Sequence, residues 1–114
     1  MNNSARFIGQ AIKAAHLSKY KYRLGAVAVK DNKVMATGHN QLKTHPRIKG
    51  YLHAETSAII KTESCDTVVV VRISKRGLLR MAKPCDGCIR FMKANGVKNI
   101  IYTDWAGNLQ EMTL

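Results

Sequence analysis

Apolar and polar positions alternate along this chain with two clear periods. Phe7, Ile8, Ala11, Ile12 and Ala15 recur at helical spacing, while Arg6, Gln10 and Lys13 fall on the other side. This predicts an amphipathic helix over residues 3–18, opened by Asn3 or Ser4 as cap. Two strand-like runs follow, Leu24–Lys30 and Lys33–Thr37. Asp31-Asn32 between them fits a tight hairpin turn, and Gly38-His39-Asn40 closes the second run. A polar loop is expected over 41–50, then a second helix over 54–62 with Ala58, Ile59 and Ile60 as its apolar side. The valine run within Thr67–Ile73 reads as a central strand buried on both faces. Residues 74–83 read as a basic loop. A third helix begins at or near Cys85 and stops at Asn95-Gly96, a sound C-terminal signal. Val97–Thr103 is a further strand. The turn-like Asp104–Asn108 leads to a short last strand over 109–112. The order α-β-β-α-β-α-β-β predicts an α/β fold, a mixed sheet with helices packed on its faces.

The length of 114 residues accommodates one domain, spanning 1–114, and 46% apolar residues are enough for a packed core. Charge adds a second constraint. Nineteen Lys and Arg face seven Asp and Glu, a net charge of +12. Such a surplus disfavours a cationic partner and points to a phosphate-bearing one. Basic residues gather in two expected loops: Lys43, Arg47 and Lys49 in one, Lys75, Arg76, Arg80 and Lys83 in the other. The same residues would also aid solubility. Tyr20, Tyr22 and Tyr51 stand among Lys19, Lys21 and Arg23, a mixture that suits base stacking or packing at a sheet edge. No apolar run approaches a membrane span, and the first residues lack the apolar stretch of a secretory signal. An intracellular, cytoplasmic protein with no membrane partner is expected.

The candidate chemistry lies in two short motifs. His53-Ala54-Glu55 opens the second expected helix, and Pro84-Cys85-Asp86-Gly87-Cys88 opens the third. In a reducing compartment Cys-x-x-Cys suggests metal or redox chemistry rather than a structural bridge. One imidazole and two thiolates form a ligand set suited to Zn2+. Three protein ligands leave a coordination position for water, as catalytic sites require; a closed structural site would need a fourth, with Cys65 or His45 as candidates. Glu55, two residues from His53, falls where a carboxylate can move protons beside the metal without ligating it. A bare redox pair would leave His53 and Glu55 unexplained.

The spacing H-x-E with P-C-x-x-C is the signature of zinc-dependent nucleobase deaminases, and the chain resembles the cytidine deaminase superfamily over nearly its whole length. Gly25–Val29 with its hairpin resembles the family's first strands; Tyr51–Glu55 and Ala82–Cys85 carry the metal centre. The resemblance implies a three-layer fold, a five-stranded mixed sheet with helices on both faces. It implies His53, Cys85 and Cys88 as zinc ligands and Glu55 as the catalytic acid–base. It places Asn40 against the substrate sugar and the backbone near Ala54 against the base. His45 and Trp105 are further candidates for substrate contact, Trp105 as a lid. The implied reaction is hydrolytic conversion of cytosine to uracil.

Two features depart from the nucleoside-specific relatives. Leu42 stands where those enzymes usually carry a glutamate for the ribose hydroxyls, and Lys43-Thr44-His45-Pro46 resembles small phage deaminases. Charge and Leu42 together favour single-stranded DNA or RNA, ahead of free CMP or dCMP, with a nucleoside third. The short Asp104–Asn108 connection instead favours an antiparallel final hairpin, as in free cytidine deaminases. A zinc-stabilised, non-catalytic nucleic-acid-binding module is the alternative of another class. Relatives of this size often form dimers or tetramers, so a homo-oligomer is among the assemblies the resemblance allows.

Overall fold

The computed structural model describes residues 4–18, 23–42, 51–52, 58–59 and 64–114. Helix α1 spans Ser4–Ala15. Strand β1, Arg23–Lys30, and strand β2, Lys33–His39, form the expected hairpin. Asp31 and Asn32 both adopt left-handed backbone angles, φ 52° and 63°. Asp and Asn tolerate that region, and such a pair of turn residues matches the twist of the strands it joins. The pairing passes from Ala28↔Ala36 to Val29↔Val34, so a bulge leaves Met35 without a partner in the ladder.

The central strand is β5, Thr67–Ile73, flanked by β1 on one side and by β7, Asn99–Thr103, on the other. Its valines are fully buried, as expected of a strand covered on both faces. The main sheet runs β2-β1-β5-β7-β8, where β8 is Leu109–Thr113. Among the described residues only the β5–β7 pair is parallel; β7 and β8 form the expected antiparallel hairpin. Helix α2, Asp86–Ala94, makes the crossover from β5 to β7. It ends in a Schellman motif: Gly96, at φ 84°, donates to the Lys93 carbonyl, and Val97 donates to that of Met92.

The sheet separates two cores. On one face α1 lays Phe7, Ala11 and Ala15 against Val27, Val29, Val69, Val71 and Ile73. On the other, Ala58, Ile59, Cys88 and Met92 pack against Ala26, Ala28, Val68, Val70 and Ile100. This is the expected three-layer mixed α/β arrangement. Gly25 sets the closeness of α1 to β1, because a Cβ there would overlap the Ala11 carbonyl and the Ala15 nitrogen.

Two expectations need adjustment, and a third falls largely outside the described residues. Residues 41–50 are not wholly loop, since Gln41–Leu42 (β3) pairs antiparallel with Tyr51–Leu52 (β4). Residues 74–83 contain a short strand, β6, Leu79–Arg80, paired with the end of β5. Ser74 builds the turn between them, its hydroxyl accepting from the amides of Arg76 and Leu78. Two-residue strands lie below what hydrophobic alternation can reveal, so only backbone pairing exposes them. Of the second expected helix, Ala58 and Ile59 are helical and the remainder lies outside the described residues.

Candidate metal centre

The described part of the candidate site gathers at one end of the sheet. The parallel strands β5 and β7 both point their C-terminal ends there, the end at which open α/β sheets bind ligands. The chain then crosses this end before entering α2. Ala82 donates to the Thr103 carbonyl at 2.8 Å, and the buried Thr103 hydroxyl donates to the carbonyl of Arg80. Residues 80–82 are thereby tied to the last residue of β7, and this fixes where α2 begins.

Cys85 is the N-cap residue of α2, with extended backbone (φ −72°, ψ 165°) and no side-chain capping bond. Its thiol is exposed, whereas Cys88, one turn later, is buried in the core. Cys85 stands at the N-cap and Cys88 in the first turn, so both thiols belong to the start of α2. Gly87 between them carries no side chain; a Cβ there would stand 4.0 Å from the Cys85 sulfur. Two soft thiol donors at a helix start, with open space over the outer one, fit a zinc ion. Cys85 and Cys88 are the two members of the expected ligand set within the described residues. His53, Ala54, Glu55 and His45 lie outside them. Among the described residues no group of three or more His, Cys, Asp or Glu side chains stands together as a metal site.

Asn40 lies at the same end, 2% exposed. Its Oδ1 accepts from the Leu24 amide at 3.0 Å, and its own amide donates to the Leu24 carbonyl at 3.3 Å. The side chain thus clamps β1 where the sheet opens, a structural task added to the sugar contact expected of it. Leu52, the residue before His53, pairs with Gln41, the residue after Asn40. Trp105 is 71% exposed in the β7–β8 turn. Asp104 organises that turn: one carboxylate oxygen accepts from the amides of Ala106 and Asn108, the other from the Gln110 side chain. The Gln110 contact leads these bonds in holding the Asp104 carboxyl below the usual carboxylate range.

Cys65 belongs elsewhere. It precedes β5, at the opposite end of that strand from Cys85, and is buried in the core. Burial, reinforced by the neighbouring Asp66 carboxylate, pushes its thiol pKa up. Among the described residues Cys65 joins no cluster of three or more metal-ligating side chains, and its place before β5 makes it a core residue of the helix-to-strand connection. Thr103 was invisible as a site-building residue from sequence, because a threonine ending a strand is unremarkable until the chain that crosses it is known.

The fold is shared with solved deaminases. A cytidine deaminase from Burkholderia pseudomallei superposes with a TM-score of 0.74 at 21% identity, over 99% of this chain and 93% of that one. The dCMP deaminase of cyanophage S-TIM5 gives 0.67 at 22% identity, over 92% and 86%. A cytidine deaminase from Mycobacterium tuberculosis gives 0.65 at 19% identity, over 90% and 85%. Among curated protein sequences no match is found. Residues 1–104 match the family described as the cytidine and deoxycytidylate deaminase zinc-binding region. The chain, with its thiol pair at the start of α2, thus belongs to the zinc-dependent cytidine and deoxycytidylate deaminase family.

Proposed function

We propose that this chain, as one domain over 1–114, hydrolyses the exocyclic amine of cytosine in a free nucleotide, releasing uracil nucleotide and ammonia. The observation that carries the reading is the Cys85–Cys88 pair at the start of α2, beyond the C-terminal ends of β5 and β7. His53, Cys85 and Cys88 would hold the metal. Zinc bound there supplies the Lewis acidity that readies a water for attack at neutral pH. Glu55 takes a proton from the attacking water and hands it to the ring nitrogen, then carries the remaining proton of the added hydroxyl to the departing amine, leaving the carbonyl of uracil. Asn40, held rigid by Leu24, meets the sugar, and the backbone near Ala54 meets the base. His45 is a further substrate contact in this reading, and Trp105 the lid.

The net charge of +12 supports a phosphate on the substrate. Single-stranded nucleic acid, favoured by charge alone, finds no support among the solved relatives, one of which is a dCMP deaminase by name. The antiparallel β7–β8 hairpin also favours a free substrate. The test is ammonia release by zinc-loaded protein from dCMP, CMP, deoxycytidine, cytidine and a cytosine-containing oligonucleotide, at about 50 and 200 mM salt. Nucleotide turnover should exceed nucleoside turnover. Faster turnover of the oligonucleotide, falling steeply with salt, would move the substrate to a polymer. No ammonia from any of the five would leave only the non-catalytic zinc module.

A further inference from the structure

Sheet register places two arginines side by side on the face that carries the thiol pair. Arg72 of β5 lies directly opposite Arg80 of β6, and directly opposed residues of an antiparallel pair project to the same side, their Cβ atoms about 5 Å apart. That side is identified twice over. Val68 and Val70, in step with Arg72, pack in the core that holds Cys88 and Met92, as does Leu24, the partner of Arg72 on β1. Leu79, next to Arg80, packs in the opposite core beneath α1. Both arginines therefore face the α2 side, past the C-terminal end of the buried valines, where the chain turns toward Cys85. Arg72 is half-buried and Arg80 exposed.

Two guanidinium groups on one face give an anion two cationic partners at once. Guanidinium groups present planar, paired donors that match phosphate oxygens better than an ammonium does. The backbone of Arg80 is also fixed in advance. It is paired to β5, and its carbonyl accepts from the Thr103 hydroxyl. Lys75 and Arg76 are exposed in the turn before β6, outside its pairing with β5. We infer that Arg72 and Arg80 together bind the substrate's phosphate, making this pair the determinant of nucleotide over nucleoside. The inference rests on the deaminase reading and deepens it.

The experiment compares dCMP with deoxycytidine in the zinc-loaded protein and its Arg80→Gln variant. Arg80 is exposed, so the substitution leaves the core intact. KM for dCMP should rise about 10- to 100-fold, the scale of a lost charged hydrogen-bonding pair, while deoxycytidine kinetics stay within twofold. Arg80→Lys should recover part of the loss. Lys93→Gln, an equal change of charge in the last turn of α2, should leave both substrates unaffected. Equal effects of Arg80→Gln on the two substrates, or no effect on either, would overturn the inference while leaving the deaminase reading intact. Should the parent protein release no ammonia, calorimetric binding of dCMP and deoxycytidine to parent and variant decides the matter separately. The preference for dCMP over deoxycytidine must then fall about 10- to 100-fold in Arg80→Gln, and an unchanged preference overturns the inference.

Discussion

Cys85 and Cys88 have equal chemistry but unequal surroundings, and their variants should differ accordingly. Cys85→Ser removes an exposed donor; zinc content should fall and ammonia release should drop at least about 100-fold, with little change in the unfolding of metal-free protein. Cys88→Ser places a hydroxyl in the core, so metal-free stability should also fall, by about 1–3 kcal/mol in urea titration. Glu55→Ala should separate binding from chemistry, keeping a full zinc equivalent by metal analysis while losing ammonia release. Asp104 offers a pH test. Its carboxyl is held low by Gln110 and the turn amides, so its contribution is present above the unfolded carboxyl pKa of about 3.9 and is lost as pH falls through the lower folded value. The melting temperature of Asp104→Ala should lie below that of the parent at pH 6, and the gap should close as the solution is taken below pH 4.

Among the elements, α1 and the end of β7 show how packing places the site. Gly25→Ala would force α1 away from β1, because the atoms met are backbone and cannot rotate aside. A loss of at least about 3 kcal/mol is expected in chemical denaturation. Thr103→Val keeps volume but removes the hydroxyl bond to the Arg80 carbonyl. It should cost about 1–2 kcal/mol and, by loosening residues 80–82, raise KM for dCMP more than for deoxycytidine. The longer elements were legible beforehand for a common reason: each presents several buried positions in a regular period, as in Phe7–Ala11–Ala15 or the valines of β5. Strands β3, β4 and β6 were not legible, since two residues cannot display a period and their existence depends on a partner distant in sequence.

For the whole molecule, separation of the two ends of the sheet is the governing feature. At one end Asp66 holds the β1–β2 turn and the start of β7, accepting from the Asp31 amide through its side chain and from Lys98 and Asn99 through its carbonyl. At the other end stand Asn40, Arg72, Arg80 and Cys85, the candidate-site residues among those described. The two hydrophobic layers are held by apolar packing along the sheet and not by the candidate metal, so metal removal should not dismantle them. Chelation should lower the melting temperature by the mass-action contribution of the bound ion, with far-ultraviolet circular dichroism retained below the transition. Among the described residues no helix is long and apolar enough to cross a membrane.

Periodicity, turn chemistry and two spaced motifs in the sequence by themselves determined the layered α/β class, the central valine strand, the Asp31-Asn32 hairpin, the antiparallel last pair and zinc as the metal. These are local signals, carried by residues within a few positions of one another. Tertiary structure alone decided that Cys65 is buried in the core before β5, that Asn40 braces Leu24, that Thr103 anchors the approach to α2, and that Arg72 faces Arg80. Each of those depends on register between segments far apart along the chain, and a shift of one residue would turn every side chain to the other face.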